Sequence, residues 1–231
     1  MTGSWRLLFI VLILSACVSC APKSDGDQDI PTEVAQQQPI GSAEEGKLLY
    51  ATCKTCHGDS GQGNSQLSAP AIANLDTRYL YRQLMNFKNG LRGYLPEDTL
   101  GMQMAAMAKT LKDSVVVSHV VAYIETLPEV VPPITITGDI KKGERTYQSI
   151  CGSCHGPKGK GNEAMNAPRL NGLDDWYLKN QITKFRSSLR GAHPLDKLGA
   201  QMVPMALLLK DDHAINDVIA YIRSVPPPVT P

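Results

Sequence analysis

The sequence predicts an all-α chain made of two tandem copies of one domain, and three observations carry that reading. CKTCHG, residues 53–58, returns as CGSCHG, residues 151–156, so Cys53, Cys56 and His57 recur as Cys151, Cys154 and His155. Apolar residues recur at helical spacing in matching places of both halves. No stretch alternates polar and apolar residues in the way a half-buried strand does.

The repeated segment carries the chemistry. Two cysteines three apart, followed directly by histidine, have the spacing of c-type haem attachment. One turn of helix presents two thiols to the two vinyl edges of a porphyrin, and the next residue supplies an imidazole to the iron. Cys53 and Cys56, then Cys151 and Cys154, are therefore the expected covalent anchors of two c-type haems, with His57 and His155 as iron ligands. A zinc or redox C-x-x-C that happens to precede histidine is the alternative, and its repetition inside a longer repeat weighs against it. Composition agrees. Aromatic residues make up only 6% of the 231, with three Phe, which is thin for a core of this size. A porphyrin in each half would supply the missing apolar bulk.

Net charge is +1, so there is no footprint for nucleic acid. The halves differ, however: residues 42–131 hold 8 basic and 9 acidic residues, and residues 138–231 hold 13 and 9. Such asymmetry can orient an encounter with a charged redox partner.

In chain order, Arg6 precedes an apolar run at 7–14 and then Ser15, Ala16 and Cys17. That run is too short to span a bilayer and has the form of a signal peptide over 1–20. LSAC also resembles the bacterial lipoprotein signal, which makes Cys17 the expected lipid attachment and the membrane a partner through that lipid. Cys20 is an alternative lipid site or a spare thiol. Residues 21–41 are polar and without period, and read as a flexible tether.

The first domain, 42–131, opens at Ser42, which has capping-box spacing to Glu45, so a helix starts there and runs into the C-x-x-C-H segment. Asp139 is the matching cap of the second domain, 138–231. Gly46 and Gly143 sit inside these helices, where glycine costs about 1 kcal/mol, and close approach of another helix would explain both. The candidate partners are the last helices, with Val116, Val117, Val120, Tyr123, Ile124 and Leu127 in one half and Ile215, Val218, Ile219, Tyr221 and Ile222 in the other. Asp113 and Asp211 read as their caps, and Pro128 and Pro226 as their stops. Between them, Gly61, Gly63 and Asn64 match Gly159, Gly161 and Asn162, a loop expected to fold back over a porphyrin edge. A middle helix is expected at 77–89 and again about Tyr177 to Phe185, closed by Arg92-Gly93 and Arg190-Gly191. A proline-containing linker, 132–137, joins the halves and should keep the two porphyrins near each other.

An iron held by one histidine has a sixth position whose occupant separates carrier from catalyst. GMQMAAMAKTL, residues 101–111, aligns without gaps to GAQMVPMALLL, residues 199–209. Met102 falls opposite Ala200, Met85 opposite Thr183 and Met165 opposite Leu67, so only Met104/Met202 and Met107/Met205 are paired. Met104 and Met202 are favoured, with Met107 and Met205 as the runner-up pair. His119, His193 and His213 have no copy and read as surface or helix residues.

On the two C-x-x-C-H motifs, the middle helices and the M-x-x-M-A segments, the chain resembles a dihaem class I cytochrome c of the cytochrome c4 type over about residues 42–225. The resemblance implies domains of about three main helices around a covalent haem, the first and last crossing. It also implies that the methionine seven residues before the Leu of an L-x-D cap ligates the iron, which is Met104 before Leu111 and Met202 before Leu209. The carbonyls of Pro70 and Pro168 would then hold the second nitrogen of each axial histidine. By the same resemblance the function is periplasmic transfer of single electrons between redox proteins of the respiratory chain, from a quinol-oxidising complex to a terminal oxidase or reductase. Neither an enzymatic reaction nor a small-molecule substrate is implied. A cytochrome subunit of a larger dehydrogenase is one alternative. A dihaem peroxidase or sulfur-compound oxidase is another, but it requires an open iron and hence two unlike halves.

Overall fold

The computed structural model describes residues 40–226, which lie within one compact unit. The signal segment, Cys17, Cys20 and nearly all of the expected tether lie outside the described residues. Among the described residues there are no strands, only two isolated bridges, Asn64 with Ala69 and Asn162 with Ala167.

The first half contains α1 (Ala43–Tyr50), the short α2 (Lys54–His57), α3 (Thr77–Lys88), α4 (Thr99–Lys109) and α5 (Ser114–Glu125). The second repeats them as α6 (Ile140–Ile150), α7 (Gly152–His155), α8 (Asp175–Arg186), α9 (Lys197–Leu207) and α10 (Asp212–Ser224). The expected caps are in place. Ser42 accepts from the Glu45 N–H, Asp139 from Lys142, Asp113 from Val115 and Val116, and Asp211 from Ala214.

The fold is all-α in two repeated domains as expected, and the methionine segments are also helical, as α4 and α9. Two expectations need correction. The first helix does not run unbroken into the C-x-x-C-H segment, because a turn at residues 51–53 separates α1 from α2. Arg92 and Arg190 do not close the middle helices, which end earlier, at Lys88 and Arg186. Both arginines are instead buried where the halves meet.

The first and last helices of each half cross at their glycines. A Cβ on Gly46 would lie 1.9 Å from the His119 carbonyl oxygen, and one on Gly143 would lie 1.8 Å from that of Asp217. The cores form around those crossings, with Tyr50, Leu80, Leu84, Val117, Val120 and Ile124 in the first half. Tyr147, Leu178, Ile215, Val218, Ile219 and Ile222 form the second. At each crossing a tyrosine pair packs at 5.2 Å between ring centroids, Tyr50 with Tyr123 and Tyr147 with Tyr221.

The linker and the residues leading into it are held to their surroundings by more than prolines. Asn74 exchanges two hydrogen bonds with the Val130 backbone, at 2.6 and 2.9 Å. The Asp175 carboxylate accepts from the Thr135 and Ile136 N–H groups at 2.5 and 2.8 Å. Arg223 donates to the Pro132 carbonyl at 2.6 Å.

Candidate haem sites

Each C-x-x-C-H turn turns its histidine inward. His57 and His155 are buried, and the Nδ1 of each lies 2.8 Å from a proline carbonyl, Pro70 and Pro168 respectively. A carbonyl oxygen carries no proton, so Nδ1 is the protonated nitrogen and Nε2 keeps its lone pair. Burial holds both imidazoles below their ordinary pKa, only partly offset by the proline carbonyls, so they are neutral and able to ligate near pH 7. The turn is fastened from behind by Tyr50, which donates to the Gly58 carbonyl at 2.7 Å, and by Tyr147, which donates to Gly156 at 2.7 Å. Gly58 and Gly156 sit at φ +80° and +78°, a conformation glycine adopts without strain.

No disulfide joins the four cysteines of these turns. Burial raises the Cys53 thiol pKa and pushes that of Cys151 up to about 12. Among the described residues no three His, Cys, Asp or Glu side chains converge as a metal cluster.

A cleft opens over each histidine. The first is lined by His57, Leu80, Leu84, Phe87, Leu100 and Met104, and the second by His155, Leu178, Ile182, Phe185, Leu198 and Met202. Met205 also borders the second cleft, whereas Met107 is not part of the lining of the first and is 40% exposed. Met165 borders the second cleft too, but its counterpart is Leu67.

The floor shared by the two clefts went unrecognised in the sequence. Tyr79, Gln83, Tyr177 and Gln181 line both. Arg92 donates to Gln83 and Gln181 at 2.8 and 2.7 Å. Arg190 donates to Gln181, Tyr79 and Gln83 at 2.8, 2.9 and 2.9 Å. Each guanidinium also lies over a phenylalanine of its own half, Phe87 at 4.4 Å and Phe185 at 4.5 Å. Burial alone would raise the Tyr79 pKa, but the charges of Arg190 and Arg92 override it and bring it down to about 8. Lys184 reaches from α8 to the Asp98 cap of α4 at 2.5 Å. The signal for this network was the pairing of Tyr79, Gln83 and Arg92 with Tyr177, Gln181 and Arg190, polar residues repeated where an apolar stripe was expected.

These residues fit a haem. Each cleft offers an apolar slot, an imidazole and a methionine thioether; Cys151 and Cys154 line the second, and Cys53 and Cys56 belong to the turn that carries His57 into the first. Arg92 borders the first cleft and Arg190 the second, and among the described residues the Nε of each has no hydrogen-bond partner. A buried donor on an unneutralised cation calls for an anion, and a haem brings two carboxylates.

The cytochrome c family model matches the chain twice, at residues 43–128 and 140–226. Cytochrome c4 of Azotobacter vinelandii is 27% identical over 187 residues, covering 78% of this chain and 88% of the relative. The thiosulfate dehydrogenase electron acceptor of Thiomonas intermedia is 30% identical, covering 63% and 67%. The crystal structure of reduced recombinant cytochrome c4 from Pseudomonas stutzeri superposes with a TM-score of 0.62 at 28% identity, covering 80% of this chain and all of that one. Matched twice by the family model and similar to cytochrome c4 along most of its length, the chain belongs to the cytochrome c family as a dihaem class I member, with a covalent c-type haem for each of its two C-x-x-C-H turns.

Proposed function

We propose that the chain is a periplasmic one-electron carrier between respiratory partners, accepting from a quinol-oxidising complex and delivering to a terminal oxidase or reductase, and that it is not itself an enzyme. The observation that carries this reading is the likeness of the two clefts: each sets a buried neutral imidazole against a paired methionine. His57 and Met104 would hold one iron and His155 and Met202 the other, with Cys53, Cys56, Cys151 and Cys154 as the covalent anchors. Pro70 and Pro168 fix the ring tautomer and orientation of the histidines. When bound, the haems supply a ferric/ferrous couple, and thioether ligation raises its potential. The chain's own part is to keep both axial positions filled, exclude water and present a docking face. A peroxidase or sulfur-compound oxidase needs one displaceable ligand, and the pairing of the halves supports neither.

The family matches support a division into domains at 42–131 and 138–231, joined by 132–137. The lipoprotein-like sequence before Cys17 supports a lipid anchor there. Among the described residues no helix is long and apolar enough to cross a membrane. If Cys17 carries the lipid, Cys17→Ser shifts the protein from the membrane to the soluble fraction, and an unchanged distribution rejects it.

A second reading is favoured by the similarity to a thiosulfate dehydrogenase electron acceptor: the donor is then a sulfur-compound dehydrogenase, and the chain its dedicated cytochrome partner. Stopped-flow mixing separates the two. Rapid oxidation of the reduced protein by a haem–copper oxidase, and reduction by a quinol-oxidising complex, support the shuttle. Reduction only by thiosulfate plus its dehydrogenase supports the dedicated partner.

A further inference from the structure

The two proline carbonyls that hold the histidines are not equivalent. The carbonyl of Pro70 and the N–H of Ala71 belong to one peptide group, a planar resonance unit in which polarising one end polarises the other. His57 Nδ1 donates to its oxygen at 2.8 Å, and its N–H donates to the Asp174 carboxylate at 2.8 Å, in a buried bond from one half of the chain to the other. The sequence from ring to carboxylate is thus Nδ1–H to carbonyl, then amide N–H to carboxylate. The second half has the first link without the second. Pro168 accepts from His155 Nδ1 at 2.8 Å, but among the described residues no side chain accepts from the Arg169 N–H.

The difference lies in the direction of one side chain. Asp76 and Asp174 are counterparts that precede α3 and α8 with the same backbone, φ −56° and ψ 130°. Asp76 caps its own helix, accepting from the Tyr79 N–H at 2.9 Å. Asp174 makes no cap bond to its helix. A cap of that kind contributes about 1 kcal/mol, and the second half forgoes it to place a buried carboxylate on the peptide behind His57.

We propose that Asp174 is a positioning and tuning residue for the iron held by His57 and not for the one held by His155, acting through the Pro70–Ala71 peptide. A charge-assisted bond at the amide N–H makes the carbonyl a stronger acceptor. The Nδ1 proton of His57 is drawn further toward it, and Nε2 becomes the more electron-rich donor. That favours the ferric state, so the first haem has the lower potential and the electron at equilibrium rests on the second. Assembly of the two halves is thereby part of the redox setting of the first. The inference rests on the reading of His57 and His155 as iron ligands.

The test uses the full-length haem-loaded protein at pH 7, with haem content and the ferric Met-ligation band recorded first. Nitrogen NMR of the ferrous wild type should show the Nδ1–H of His57 more strongly hydrogen-bonded than that of His155. Asp174→Asn should move the lower-potential wave upward by about a threefold change in the ferrous-to-ferric ratio, or about 28 mV at 59 mV per tenfold for one electron. It should shift the His57 Nδ1 resonance and leave that of His155 unchanged. Asp76→Asn should move neither. Equal shifts of both waves, unchanged waves with two haems in place, or identical Nδ1 signals in the wild type would overturn the proposal. Absence of a haem from the wild-type protein, or of either Met-ligation band, would instead strike the ligand reading beneath it. Should Asp174→Asn fail to load, Asp174→Ser is titrated in its place, and the wild-type NMR comparison needs no variant.

Discussion

The two halves are copies, and what they share separates cleanly from what they do not. Both keep the helix-crossing glycine, the tyrosine behind the C-x-x-C-H turn, the proline carbonyl on the histidine and the methionine across the cleft. They diverge in how the crossing is secured. In the first half His119 Nδ1 accepts from the Ser42 N–H at 2.8 Å, while its Nε2 lies 2.7 Å from the Glu45 carboxylate. In the second, Asp217 Oδ1 accepts from the Asp139 N–H at 2.8 Å, and its Oδ2 meets Lys142 at 3.1 Å. The last helix reaches back to the same two positions of the first helix in each case, an imidazole meeting a carboxylate in the first half and a carboxylate meeting an ammonium in the second. Geometry around each C-x-x-C-H histidine is thus retained, while the chemistry that fixes the helices beside it is free to change. Asp76 and Asp174 show the same freedom at the junction, as does Pro204, which stands inside α9 where α4 has Ala106.

The largest expected effect tests the likeness of the clefts. Met104→Ala and Met202→Ala should each remove about half of the weak red absorption band of ferric Met-ligated haem, whereas Met107→Ala and Met205→Ala should leave it whole. The reverse pattern would transfer the ligand role to the runner-up pair. Next come the crossings. Gly46→Ala and Gly143→Ala each drive a methyl into a carbonyl oxygen, and overpacking of this kind costs about 3 kcal/mol. Denaturant unfolding should show comparable losses in both, and a loss confined to one half would break the equivalence of the crossings.

The junction comes third. Arg92→Gln and Arg190→Gln each take a positive charge from the hydrogen-bonded network that the two clefts share, so each should lower both midpoint potentials, which a redox titration reads directly. A change limited to the variant's own half would show that the arginines do not serve both sites. The smallest effect belongs to the crossing anchors. His119→Ala and Asp217→Ala should each cost about 1 kcal/mol, the worth of a helix cap. The Asp217 contribution also has a pH signature. The Asp139 N–H, then Lys142, hold its carboxyl below the ordinary carboxylate range. A depressed folded-state pKa stabilises above the unfolded value, so the contribution is complete above about pH 4 and lost as pH falls through the lower folded value. Asp217→Ala should flatten that acid limb of the stability curve.

How much of this was legible in the sequence follows from the range of each signal. Caps at Ser42, Asp113, Asp139 and Asp211 act within a turn, so local spacing reveals them. The glycines and the methionine pairs became readable because the repeat supplies an internal comparison. Arg92 and Arg190 were read as helix stops because a charged residue beside glycine has that local appearance. Their burial depends on Gln and Tyr partners from the other half. His119 looked unpaired for a related reason: its counterpart performs the same task as an aspartate, so identity of residue was the wrong thing to match. Asp174 was least accessible of all. It shares its residue type with Asp76, and only the direction of its side chain distinguishes them.

The central claim is that neither iron has a free axial position. The most direct measurement is exposure of the fully reduced, dihaem protein to carbon monoxide at neutral pH, followed in the Soret band. The account predicts a spectrum unchanged over the time of the experiment. Ready formation of a carbonyl adduct at either haem would contradict it.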